Sequence, residues 1–232
     1  MTKTKGVVIV LIAIAAAVIA IAAAKYNQRL PLPAGVYGTD PEVWTEVRLI
    51  ENPQMAAEKI VNGAKQEVNK GVRYNASYLQ IPYPNGDVPS DRGACTDVIV
   101  RALRNAGYDL QKLIHKDMSR NFKLYPQTYG LSKPDSNIDH RRVPNQMTYL
   151  RRHGLELPKS VNGSDKETWQ PGDLVYWKLD YGADHCGVIS NDTGKSGLPM
   201  VIHNLGGAKQ EDCLTRWEIT GHFRLPTNPD VD

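Results

Sequence analysis

Three residues have the chemistry of a hydrolytic site: Cys95, His185 and His203. Cys95 opens the run "CTDVIVRALRNAG", in which Val98, Ile99, Ala102, Leu103 and Ala106 share one helical face, Arg101 and Arg104 fall off it, and Gly107 ends it. The pattern predicts a helix with the cysteine in its first turn. Unpaired backbone N–H groups and the positive end of the helix dipole favour a thiolate there, and could stabilise an oxyanion when that sulfur attacks a carbonyl. A cysteine at this place also has an ordinary reading as a small apolar residue filling a gap.

The histidines tip the balance. "WQPGDLVYWKL" reads as a turn and a strand, and "DHCGVISND" as a second strand with His185 near its start. Paired as antiparallel neighbours, they put His185 on a sheet face where a preceding helix could present Cys95. "PMVIHNLGG" places His203 on the next strand, within reach to hold the first imidazole in one tautomer. His115, His153 and His222 have no such company and read as satisfied polar residues.

The elements around these residues follow from periodicity. "PQMAAEKIVNGAKQEVNKGV" carries a helical stripe of Met55, Ala56, Ile60, Val61, Ala64 and Val68. "YLQIPYPNGDVPSDRGA" is a loop by its prolines and its Asn-Gly and Gly-Asp pairs. Residues 111–165 read as a long polar section, mostly loop, in which only "NQMTYLRRHG" looks helical. The short runs "GDLVYWKL", "HCGVIS", "PMVIHNL" and "GHFRL" then predict an antiparallel sheet. Helices first and strands after give an α+β pattern.

The bulk of the chain limits the function classes. It has 232 residues, 41% of them apolar, enough for one sizeable core. "MTKTK" and the uncharged run Gly6–Ala24 form a basic leader before a segment that suits a signal sequence or a membrane anchor. The basic flank directs the rest of the chain across the membrane, so the expected location is exported: periplasm or outer face of the inner membrane. Two of the +3 net charges, Lys3 and Lys5, belong to the leader, and the remaining +1 is no nucleic-acid footprint. The expected division is residues 1–24 as leader, 25–53 as linker, 54–226 as the hydrolase domain and 227–232 as tail. Three cysteines, Cys95, Cys186 and Cys213, leave at least one unpaired in an oxidising compartment unless a second chain supplies a partner.

With these residues in view, the chain resembles the NlpC/p60-type cell-wall cysteine peptidases, which have a papain-like fold. The resemblance lies in a helix-start cysteine, then "PGDLVYW", "HCGVIS" and "VIH". It implies N-terminal helices packed on an antiparallel sheet, with Cys95 as nucleophile, His185 as base and His203 as the residue that orients it. A closer likeness is to the exported bacterial domain of unknown function family 1287, through "PNGDVP", "CTDV", "NIDHRRVPN", "WQPGDLVYW", "HCGVIS" and "VIHNLGG", over roughly Gln54–Leu225. The chain departs from the NlpC type in having "ACTD" for Asp-Cys-Ser-Gly and a longer gap before His185. Cys186 stands where the family has isoleucine, which makes it a packing residue; a disulfide with Cys213 would leave Cys95 free.

The expected activity is that of a thiol hydrolase, a peptidase or amidase, cutting an amide bond in peptidoglycan. A non-catalytic wall-binding module and an acyltransferase or transamidase are the rivals. The expected partners are a peptidoglycan stem peptide and, if the leader is uncleaved, the membrane. Asp97, Asp139, His140, Arg141, Arg142 and Asn204 are the candidate substrate-binding residues. An arginine fork in "NIDHRRVPN" suits a stem-peptide carboxylate, and serves equally well in an ion-pair cluster that ties the loop down. A metal site of His140, His185, His203 and a cysteine lacks HExxH or paired CxxC spacing, so no metal or cofactor is assigned.

Overall fold

The computed structural model describes residues 53–225. The leader at 1–24, the linker up to residue 52 and the tail at 227–232 lie outside the described residues, and with them the expected signal or membrane helix. Among the described residues no helix is long and apolar enough to cross a membrane.

Helix α1 (Pro53–Asn69) buries Ala56, Ile60, Val61 and Ala64 and stops at Gly71, whose φ of +64° suits a residue without Cβ. It crosses α2 (Cys95–Asn105) at Gly63, where a Cβ would stand 2.9 Å from the Cα of Ala102. Between the two helices, β1 (Arg73–Tyr74) and β2 (Arg92–Gly93) form a short parallel pair that delivers the chain to Cys95.

The polar section is more helical than its composition suggests. Leu110–Asn121 forms α3, started by Asp109, whose carboxylate accepts from the Gln111 N–H. Leu110, Ile114 and Met118 recur every four residues and are buried on one face, a stripe thinned by the polar residues between them. A 3₁₀ turn at Asp139–Arg141 then leads into α4 (Val143–His153), which has Pro144 in its first turn.

Six strands complete the α+β domain: β3 (Leu155–Glu156), β4 (Leu174–Lys178), β5 (Asp184–Thr193), β6 (Pro199–Asn204), β7 (Ala208–Glu211) and β8 (Glu218–Arg224). They pair in the order β3-β8-β4-β5-β6-β7, each antiparallel to its neighbour. The polar edge strand "AKQE" of β7 shows no apolar alternation, so only its ladder with β6 reveals it.

Strand alternation divides the core. Leu174, Tyr176, Cys186, Val188, Ile202 and Phe223 face the helices and share their core. Val175, Trp177, Ile189 and Val201 face the other way and are covered by Trp169, Cys213 and Leu214. Cys186 and Cys213 therefore lie in different cores, and no disulfide joins them; all three cysteines are free thiols.

Candidate active site

Cys95 stands at the first position of α2, with the orphan N–H groups of the first turn around it. Ala94 has no side-chain oxygen to cap the helix, so the cap runs backwards: Asp97 accepts from the Ala94 N–H at 2.6 Å. Gly93 permits this closure, since a Cβ there would lie 2.9 Å from the Asp97 Cβ. Only 6% of the Cys95 surface is exposed.

Strand β5 meets the sulfur with two consecutive residues. The Cys186 side chain is the largest influence on the Cys95 thiol and draws its pKa down; burial opposes this, and the His185 ring and the Cys186 backbone N–H add to the lowering. Burial, reinforced by Cys95, pushes the Cys186 thiol well above its ordinary range, so it remains an S–H donor beside a thiolate. The packing residue expected at 186 thus also interacts with the Cys95 thiol.

His185 and His203 are brought together as the strand order requires. Trp177 pairs with His185 across β4 and β5, and Gly187 pairs with His203 across β5 and β6, which puts both imidazoles on one face. His185 Nε2 lies 2.9 Å from His203 Nδ1, leaving His185 Nδ1 as the nitrogen free to serve Cys95. The His185 ring is stacked on Trp177 and edge-on to Trp217, with centroids 5.6 and 5.7 Å away, a largely dry setting that fixes its plane. Burial holds the His203 pKa down at about 4.

Two further residues belong to this site that the sequence reading did not place here. Glu211 Oε2 is 3.1 Å from His203 Nε2, and Cys213 Sγ is 3.6 Å from the same nitrogen. Glu211 lies on the edge strand that composition hid. Among the described residues, His203, Glu211 and Cys213 are the one group spaced to hold a metal; they share His203 and a cysteine with the set weighed from sequence, but not His140 or His185. Lys209 Nζ and Arg216 Nη1 already occupy the Glu211 oxygens at 3.1 and 2.9 Å, which disfavours a cation there.

The candidate substrate-binding residues are engaged inside the protein. Arg141 forks onto Asp97 at 2.8 and 3.0 Å and donates to the Ser77 carbonyl at 3.0 Å. Arg142 pairs with Asp139 at 2.9 Å and lies over the Tyr129 ring, while Asp139 also accepts from the Asp135 N–H. His140 is buried, with its carbonyl accepting from Gln146. Asn204 donates to the Gly93 carbonyl at 2.9 Å, tying the His203 strand to the segment before Cys95. The fork that could have met a stem-peptide carboxylate is filled by a carboxylate of the protein itself.

Two exposed aromatics lie in segments that lead into this site. Tyr74 pairs with Gly93, two residues before Cys95, and Tyr181 sits in the β4–β5 turn ahead of His185. Burial raises the Tyr74 phenol pKa, and the charges of Cys95 and Tyr181 add to it.

Fold and site together define an α+β domain that sets a helix-start thiol against a hydrogen-bonded histidine pair. The chain belongs to the family described as Domain of unknown function (DUF1287), whose model matches residues 61–225. It is 49% identical over 181 residues to "Uncharacterized protein YijF" of Escherichia coli (strain K12), covering 78% of this chain and 85% of that one. Two crystal structures of an N-acetylmuramoyl-L-alanine amidase from Bacteroides uniformis ATCC 8492 are distantly similar, at 12% identity. They have TM-scores of 0.42 and 0.38, covering 74% and 73% of this chain and 99% and 97% of theirs.

Proposed function

We propose that the protein is a thiol hydrolase that cuts an amide bond of peptidoglycan outside the cytoplasm. The observation that carries the chemistry is the line Cys95, His185, His203: a thiol with a lowered pKa, a base whose Nδ1 is free for it, and a second imidazole 2.9 Å from the base. The choice of peptidoglycan rests on the motif resemblance to cell-wall peptidases and on the basic, apolar N-terminus that directs export. The stem peptide is then the partner, and the membrane a second one if the leader is retained.

In the forward reaction the Cys95 thiolate adds to the amide carbonyl carbon, and first-turn N–H groups of α2 hold the oxyanion. His185 gives its Nδ1 proton to the leaving nitrogen as the C–N bond breaks, leaving a thioester on Cys95. Water then attacks the thioester while His185 takes its proton, and the acid departs as the thiolate and imidazolium re-form.

Mass spectrometry of fragments released from purified sacculi tests the reading and names the bond. New amine and carboxylate ends are expected from the wild type and absent from Cys95→Ala; equal release by both overturns it.

A further inference from the structure

We propose that Glu211 is a positioning residue that sets the tautomer of both histidines, and so keeps a lone pair on the His185 nitrogen that faces Cys95. This role rests on the hydrolase reading of the Cys95 site, but it is decided by the direction of two hydrogen bonds. Burial pushes the Glu211 carboxyl up, yet Lys209, His203 and Arg216 together bring it below the ordinary range, so it is a carboxylate that only accepts. At 3.1 Å, His203 Nε2 must therefore carry the proton and donate.

A neutral His203 with its proton on Nε2 has a lone pair on Nδ1, and His185 Nε2, 2.9 Å away, must donate to it. His185 then holds its own fixed proton on Nε2, and Nδ1 is left as the basic atom. Each bond dictates the next, from a strand edge to the nucleophile. Cys213 Sγ, 3.6 Å from the same Nε2, is a weak second acceptor that reinforces the direction.

Without an acceptor oxygen at 211, His203 can move its proton to Nδ1 and donate towards His185. That would place the His185 proton on Nδ1, pointing at Cys95, where a neutral imidazole can no longer accept. The geometry of the rings would be unchanged and the base would be lost, a fault of tautomer rather than of position.

The test reads Cys95 alone and needs no turnover. The rate of Cys95 alkylation by iodoacetamide, followed by peptide mass spectrometry in the presence of a chelator, is measured against pH for wild type, Glu211→Leu, Glu211→Gln, Lys209→Met and His185→Ala. Gln keeps an acceptor oxygen for His203 Nε2, whereas Leu does not. Lys209→Met removes only an ion pair on the far oxygen, 3.1 Å away. Glu211→Leu is expected to move the profile to higher pH and slow labelling about tenfold near neutrality, the equivalent of about one pKa unit. Glu211→Gln and Lys209→Met should stay close to wild type.

An unchanged profile in Glu211→Leu, with His185→Ala shifted, overturns the role of Glu211 while leaving the thiol–imidazole pair standing. An unchanged profile in His185→Ala overturns the pair and this inference with it. A loss in Glu211→Gln equal to that in Glu211→Leu also overturns it, because charge rather than acceptance would then be what matters. Nitrogen NMR of the wild-type imidazoles gives a check independent of any variant's folding: Nε2–H on both rings is expected, and Nδ1–H on neutral His203 overturns the proposal.

Discussion

Arg141 grips Asp97 with two parallel hydrogen bonds at 2.8 and 3.0 Å, and the same carboxylate closes the start of the helix that carries Cys95. The 3₁₀ turn of the polar section is thereby bolted to the first turn of α2, 44 residues away in sequence. The Thr96 hydroxyl, donating to the Arg141 carbonyl at 3.0 Å, makes a second tie between the same segments.

Breaking this pair from one side leaves a buried charge without a partner. Asp97→Ala is expected to cost about 3–5 kcal/mol, seen as a fall of about 10 °C in thermal unfolding for a domain of this size. Arg141→Ala should cost a similar amount. The double variant should cost less than the sum of the two, and full additivity in the cycle would show that the residues do not interact.

The three thiols should separate by reactivity. Burial pushes Cys213 up to about 12, and Cys186 is also raised, whereas Cys95 is drawn down. Limited iodoacetamide at pH 7 is expected to label Cys95 at least about tenfold faster than the others. Peptide mapping checks this, and equal labelling would favour a wall-binding module over a hydrolase.

Loss of the base should be costly without unfolding the protein. His185→Ala is expected to lower the rate of sacculus digestion by about 10²–10⁴-fold, the usual worth of a positioned acid–base group. Circular dichroism should still show the fold. A rate within a few-fold of wild type would remove His185 from the reaction.

Gly187 faces β6 so closely that a Cβ would lie 2.7 Å from Val201 Cγ1 and 3.2 Å from the Cβ of His203. Gly187→Ala must push β6 aside, at a cost of about 1–3 kcal/mol in stability. Activity is expected to fall by up to about 10²-fold, because a small displacement of His203 misaligns His185. Thermal unfolding and digestion rates measured on one preparation check both.

Acid should weaken the fold through His140. Its pKa is lowered to about 4, first by burial and then by Arg141 and Arg104, while the unfolded chain titrates near 6.5. The unfolded state therefore binds the proton first, and this contribution is fully present above about pH 6.5 and lost as pH falls towards 4. The loss approaches about 3 kcal/mol. Urea unfolding between pH 7 and 4.5 should show a decline that is shallower in His140→Phe.

The sequence by itself determined the local elements and singled out the thiol and imidazoles that the fold brings together. Apolar spacing marked α1 and α2, Gly107 marked the end of α2, and short alternating runs marked β4, β5, β6 and β8. Cys95, His185 and His203 were legible because helix position and strand alternation fix where side chains point within a few residues. The helix at Leu110–Asn121 escaped because three buried residues spaced by four are diluted by charge. Only the tertiary structure decided what lies between distant segments. It filled the arginine fork with Asp97, turned Cys186 toward Cys95 rather than Cys213, and set Glu211 behind His203. Such contacts depend on which strand becomes the neighbour and which helix covers which face, and no local periodicity encodes that choice.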